Sequence, residues 1–221
     1  MSQPLVEYHS ENHIATITMN DPKTLNAFST PLKNAIMEAL DQADQDADVR
    51  VIVLQGSNNN FSSGGHIGEM LENGMESEAL VAKLDFMLRE VAEVSLKLRN
   101  IHKPIIAKLE GAVAGAGMNL ALTCDFRIAA DNAKFVQAFV NIGLIPDAGG
   151  IYLLNQLIGA AKTTELVMLG DKLTSDDVAR LNLVNSVVSK DELDASVLAL
   201  ATRLSNLPGK ALASMKHMIN V

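Results

Sequence analysis

The run Val49–Leu54 constrains this chain more than any other feature. Apart from Arg50 it contains only Val, Ile and Leu. A strand with one wet face alternates apolar and polar residues, whereas a nearly continuous run of this kind marks a parallel strand buried on both faces. Such a strand needs helices to cover it, so the run points to an α/β architecture. The preceding residues agree. Leu5–His9 and His13–Met19 read as the strands of a hairpin turning at Ser10–Asn12. After a turn at Asn20–Lys23, a helix is expected with Thr30 as its N-cap and Pro31 at its first position. Its apolar positions are Leu32, Ala35, Ile36, Ala39, Leu40 and Ala43, and it ends in the acidic segment Asp44–Asp48.

Further along, Gly56–Gly65 is polar and glycine-rich and reads as a loop, followed by a short helix at Ile67–Met70. Gly74 and its neighbours suggest a second, mobile loop. From Glu78 to Arg99 the positions Leu80, Val81, Leu84, Leu88, Val91, Ser95 and Leu98 trace one face of a long packing helix. Lys103-Pro104 breaks it before strands at Ile105–Leu109 and Phe126–Ala129. Helices are expected at Gly149–Ile158, Ala160–Gly170 and Asp176–Leu181, the last capped by Thr174 or Ser175. A strand at Val184–Val188 and helices at Glu192–Leu204 and Lys210–Ile219 complete the chain, with no linker and no exact repeat.

At 221 residues the chain suits one generous α/β domain or two small ones, at roughly 150 residues per domain. A core of that size needs no disulfide or metal staple. The lone Cys124 excludes an internal disulfide and a cysteine zinc cage, which fits a reducing, cytoplasmic setting. A net charge of −8 opposes nucleic-acid binding, and no apolar run is long enough to span a membrane. The N-terminus lacks the basic and apolar regions of an export signal.

Two glycine-rich segments precede helices. In Gly111–Leu120 a strand feeds a glycine loop and a helix, yet Leu120 stands where a dinucleotide fingerprint has its third glycine. No Gly-Lys-Ser/Thr follows to make a P-loop. In Phe61–Met70 adjacent glycines again precede a short helix. Either is by itself an ordinary turn or a close-packing device, but together they can aim one N–H each at a shared oxygen. No G-x-S-x-G elbow is present. Cys124 reads as a small core residue, and of the five histidines only His66 adjoins a candidate site, so metal catalysis is not expected. Asp147 remains, following Pro146 and preceding a helix. It suits a helix N-cap, and it equally suits a base, because Phe139, Ile142, Leu144 and Ile145 would desolvate it and raise its pKa.

The segments Asn20–Phe28 (NDPKTLNAF), Phe61–Met70 (FSSGGHIGEM), Lys103–Ala130, Lys134–Gly150 and Gly170–Val188 together resemble the enoyl-CoA hydratase/isomerase, or crotonase, family. The match runs in order across essentially the whole chain. GAVAGAGMN with QAFVNIGLIPDAGG is most similar to the ring-expanding 1,2-epoxyphenylacetyl-CoA isomerases and the trans-2-decenoyl-acyl-carrier-protein isomerases. Dienoyl-CoA isomerases share the Asp147 position but use a carboxylate where this chain has Phe139.

The resemblance implies an α/β, crotonase-type spiral of ββα units over 1–190, with C-terminal helices over 191–221, a shorter segment than is usual in the family. It implies a homotrimer or dimer of trimers acting on a bent acyl thioester, with coenzyme A or acyl-carrier protein as the carrier and no separate cofactor. The thioester oxygen would lie between the amides of Gly65 and Ala116. The glutamates with which family hydratases activate water fall at Asn119 and Phe139, and neither is a base. Asp147 takes the place of an acidic residue used by family isomerases, so double-bond migration in lipid metabolism is expected. Asn119 and Phe139 would shape the pocket, and Lys23, Ala27, Ser63 and Ile67 would line the groove for the carrier. His66 would be a polar wall or an auxiliary acid. A hydratase with unconventional residues and a noncatalytic thioester-binding protein are the alternatives.

Overall fold

The computed structural model describes residues 3–71 and 77–220, those of 70–71 and 77–88 by backbone alone. The loop expected around Gly74 and the apolar face from Leu80 to Leu88 lie outside the described residues and side chains. Strands β1 (Val6–Glu11) and β2 (Ile14–Met19) form the hairpin. Their ladder continues to the pair Glu11–Ile14, so the turn is the two residues Asn12 and His13 rather than Ser10–Asn12. Both take positive φ, 52° and 66°, as the tight turn that matches strand twist requires.

Helix α1 (Thr30–Gln45) is capped by Ser29, not by Thr30: Ser29 Oγ accepts from Leu32 N at 3.3 Å. Pro31 still sits in the first turn, where its missing N–H costs nothing. The Thr30 hydroxyl is drawn away to Glu90 Oε2 at 2.6 Å. The buried face of α1 is Leu32, Ile36, Ala39, Leu40 and Ala43, the expected helical stripe without Ala35. Strand β3 (Val51–Gly56) holds the apolar run and pairs in parallel with β2. Ile52 and Leu54 face one core while Val51 and Val53 face the other, so the run is buried on both sides.

After β3 come α2 (Ile67–Leu71) and α3 (Ser77–Asn100), then β4 (Ile105–Leu109), β5 (Ala112–Ala114) and α4 (Gly115–Thr123). Next are β6 (Phe126–Ala130), β7 (Lys134–Val136), a 3-10 turn (Ala138–Ile142) and α5 (Gly150–Leu169). The chain continues through β8 (Lys172–Thr174), α6 (Ser175–Arg180), β9 (Ser186–Val188), α7 (Leu193–Ser205) and α8 (Gly209–Asn220). Helix α5 bends at Gly159 (φ 73°, ψ 167°), where the sequence divides it in two. Thr174 caps α6 in a reciprocal capping box with Asp177.

The larger sheet has the order β1-β2-β3-β4-β6-β9, parallel beyond the initial hairpin. The smaller sheet is β5-β7-β8. From β4 onward the chain passes back and forth between the two, placing β4, β6 and β9 in the larger sheet and β5, β7 and β8 in the smaller one. The three-residue strands β5, β7 and β8 escape sequence reading because they are too short for alternation to show. One face of the larger sheet is covered by α1 and the α3/α4 layer behind it. The other is covered by α7, through Leu193, Val197, Ala201 and Leu204. Lys216 on α8 ties the end of the chain to the core through Asp125, at 2.7 Å. No helix among the described residues is long and apolar enough to cross a membrane.

Candidate active site

Two loops meet beside the smaller sheet. In the first, the loop after β3, Ser62 forms a parallel bridge to Val113: Ser62 N donates to Ala112 O at 2.9 Å, and Ala114 N to Ser62 O at 3.0 Å. The buried Asn26 side chain braces the same loop by donating to Asn60 O at 2.8 Å. Phe28 N donates to Gly64 O and His66 N to Phe28 O, which fixes Gly65 between them. Gly64 has a φ of 101°, and a Cβ there would lie 3.0 Å from Ala114 O, so glycine is demanded twice over.

The second loop is the β5–α4 junction. A Cβ on Gly64 would sit 3.7 Å from Ala116 N, which measures how closely the two loops approach. Ala116 is the second residue of α4, where a helix has no internal acceptor for the N–H. The Gly65 N–H likewise meets no acceptor among the described residues. Gly117 permits the approach, since a Cβ on it would fall 2.5 Å from Ser62 Cβ.

Gly65 and Ala116 lie on the wall of a cavity of about 190 Å³, with Phe28, Ile67, Val91, Phe139, Ile142, Leu144 and Ile145 as its apolar lining. Asp147 stands on the same wall and is the only ionisable side chain among its described lining residues. The loop from the 3-10 turn to α5 carries Asp147, with Gly143, Ala148 and Gly149 all at positive φ. The N-cap of α5 is Gly149, without a side-chain cap bond. The capping reading of Asp147 is thus corrected: its carbonyl receives Gly150 N at 2.7 Å, while its carboxylate Oδ1 accepts from Asn119 Nδ2 at 3.0 Å. Burial pushes the carboxyl up to about 6, against the pull of the Asn119 hydrogen bond. Such a group is mostly ionised at neutral pH, yet is poorly solvated and basic enough to take a proton from carbon in a transition state.

Among the other residues singled out from sequence, Phe139, Ser63 and Ile67 line the cavity. Asn119 lies behind the wall, 0% exposed, and reaches the site only through Asp147. Lys23 is exposed and Ala27 buried, both on the turn before α1 and off the cavity wall. His66 is also off the wall, and its Nδ1 accepts from Glu69 N at 2.9 Å, capping α2. Burial pushes the Cys124 thiol up to about 12, leaving it an inert core group. Among the described residues no cluster of His, Cys, Asp or Glu is arranged to hold a metal.

Gln137 was missed by sequence reasoning. It is 2% exposed, and its Nε2 donates to Asn119 Oδ1 at 2.9 Å. Its only sequence signal is polarity within the apolar stretch Phe135–Val140.

A profile of the enoyl-CoA hydratase/isomerase family matches residues 9–221. The chain is 34% identical over 216 residues to a trans-2-decenoyl-[acyl-carrier-protein] isomerase of Streptococcus mutans, covering 96% of this chain and 80% of that protein. It is 32% identical over 213 residues to a 1,2-epoxyphenylacetyl-CoA isomerase of Escherichia coli, with 96% of this chain and 80% of that protein covered. Among solved structures, an enoyl-CoA hydratase from Polaromonas superposes with a TM-score of 0.90 at 33% identity, over 97% of this chain and 82% of the other.

Proposed function

The chain belongs to the enoyl-CoA hydratase/isomerase family, with its crotonase-type α/β spiral, and from that premise we propose that it moves the double bond of an enoyl thioester. The observation that carries this reading is Asp147, the one carboxylate among the described residues of a cavity wall that also bears the Gly65 and Ala116 amides. The thioester oxygen lies between those two N–H groups. Asp147 takes a proton from C2 of a 3-enoyl thioester, and the negative charge of the resulting dienolate gathers on the oxygen that the amides face. The proton returns at C4, which leaves the double bond between C2 and C3. One such amide donor is typically worth about 3 kcal/mol in the transition state.

One carboxylate suffices, because the proton leaves and returns on one face. Hydration also needs a group to activate water, and the positions where family hydratases carry glutamates hold Asn119 and Phe139. Phe139 keeps the pocket dry, and Ser63 and Ile67 guide the carrier end. The substrate is carried as a coenzyme A or acyl-carrier-protein thioester, and the step needs no further cofactor.

The test follows 3-enoyl to 2-enoyl conversion, with both carriers, in wild type and Asp147→Asn. The amide keeps the shape but cannot accept the proton, so a loss of roughly 100-fold or more is expected. Equal rates would remove Asp147 from the reaction. Hydration of crotonyl-CoA at an ordinary enzymatic rate, about 1 to 1,000 per second, would overturn the isomerase reading.

A further inference from the structure

The two ends of the Asn119 side-chain amide are not interchangeable here. Its Nδ2 faces two oxygens of Asp147, the carboxylate Oδ1 at 3.0 Å and the backbone carbonyl at 3.1 Å. Both are acceptors when Asp147 is ionised, so the amide nitrogen must point that way. Asn119 Oδ1 then needs a donor, and the donor is Gln137 Nε2 at 2.9 Å. Asn119 and Gln137 are 0% and 2% exposed, so water cannot readily substitute for either. The remaining half of the glutamine amide, Oε1, is buried without a partner. Only the donor half of Gln137 is engaged. Gly150 closes the other side, because a Cβ on it would lie 2.4 Å from the Asn119 amide atoms.

We infer that Gln137 is a positioning residue that acts through Asn119: its N–H locks the Asn119 amide with the NH2 toward Asp147, engaging Oδ1 and presenting Oδ2 for proton transfer. The catalytic consequence rests on the function proposed above, whereas the effect on the Asp147 carboxyl does not. A donated hydrogen bond favours the ionised carboxylate, so a loosened Asn119 lets burial raise the carboxyl further. The other charged groups described near the site are engaged elsewhere or lie off the wall. Among the described residues the cavity wall carries no second ionisable group, and α4 has none within Gly115–Thr123. His66 and Glu69 are bonded to Glu69 N and Thr30 N, Glu90 is held by Thr30 and Lys33, and Tyr152 on α5 is exposed.

The experiment titrates the Asp147 carboxyl by 13C NMR in wild type, Gln137→Met, Gln137→Leu, Asn119→Leu and the Gln137→Met/Asn119→Leu double variant. Isomerase kcat and KM are measured against pH in parallel. Either Gln137 variant is expected to raise the Asp147 midpoint by about half to one pH unit, and Asn119→Leu by more. In the double variant the Gln137 change should add nothing, because its only route to Asp147 has gone. The acid limb of kcat should move with the midpoint while KM stays within about twofold. A lower melting temperature with an unmoved midpoint in both Gln137 variants would mean that Gln137 is merely structural and would overturn the inference. So would a full Gln137 effect in the Asn119→Leu background. A midpoint moved in the Gln137 variants, with a wild type that isomerises nothing, would retain the positioning role and discard the proposed reaction.

Discussion

At the scale of single residues, Asp147 sets opposing demands on stability and chemistry. Its folded value of about 6 lies above the ordinary carboxyl value of 3.8, so the folded protein holds this proton more tightly than the unfolded chain. The resulting stabilisation is complete below the unfolded value and is lost as pH rises through about 6, which leaves an ionised, half-desolvated group at pH 8. Asp147→Asn removes that cost. It should raise the melting temperature at pH 8 and leave it nearly unchanged at pH 4, as calorimetry at the two pH values would record. Allowing for solvent screening of a partly exposed group, the gain is about 1–2 kcal/mol, or a few degrees. Wild-type activity should rise with pH along a limb centred near 6, because only the ionised carboxylate accepts a proton. A pH–rate profile flat from 5 to 8 would contradict a role for this group.

At the scale of elements, the site depends on close backbone approaches that only glycine allows. Gly117 of α4 lies against Ser62, and Gly150 of α5 against the Asn119 amide. In an exposed helix, Gly→Ala is stabilising by roughly 1 kcal/mol. Here the sign reverses. Gly117→Ala must drive Ser62 away and part the two amide-bearing loops, so it should weaken the binding of a thioester analogue as well as lower stability. Gly150→Ala should displace Asn119 and depress kcat with a smaller effect on analogue binding, a difference that isothermal titration beside steady-state kinetics would resolve. The start of α1 provides a control away from the chemistry. Ser29→Ala removes the bond to Leu32 N and should cost about 1 kcal/mol by urea unfolding, with kcat unchanged.

For the whole molecule, stability resides in the larger sheet, whose strand β3 is packed from both sides. Leu54 is fully buried in the core beneath α1. Leu54→Ala should cost about 2–5 kcal/mol in urea unfolding, whereas the same change at the exposed Leu198 should fall within about 0.5 kcal/mol. The family resemblance implies a homotrimer or a dimer of trimers, and sedimentation equilibrium would measure which of the two, if either, forms.

What was legible in the sequence had local causes. The run Val49–Leu54 implied a strand covered on both faces, the spacing from Leu32 to Ala43 implied the buried stripe of α1, and paired glycines before helices implied loops with unpaired N–H groups. The apolar company of Asp147 foretold its raised pKa, since Phe139, Ile142, Leu144 and Ile145 all line its cavity. The cap of α1 was misplaced by one residue because Ser29 and Thr30 are both good caps, and a remote acid, Glu90, claims the threonine. The smaller sheet was invisible, as its strands are too short for a pattern and exist only where successive turns of the spiral stack them. Tertiary structure alone decided whether Asp147 capped a helix or faced a cavity. The answer depends on Asn119, 28 residues earlier, and on Gln137, 18 residues beyond Asn119, whose side chains meet only after α4, β7 and α5 have packed. Periodicity records which face of an element is apolar. It carries no information on which buried amide will find which carboxylate, because that is set by the packing of elements far apart in the chain.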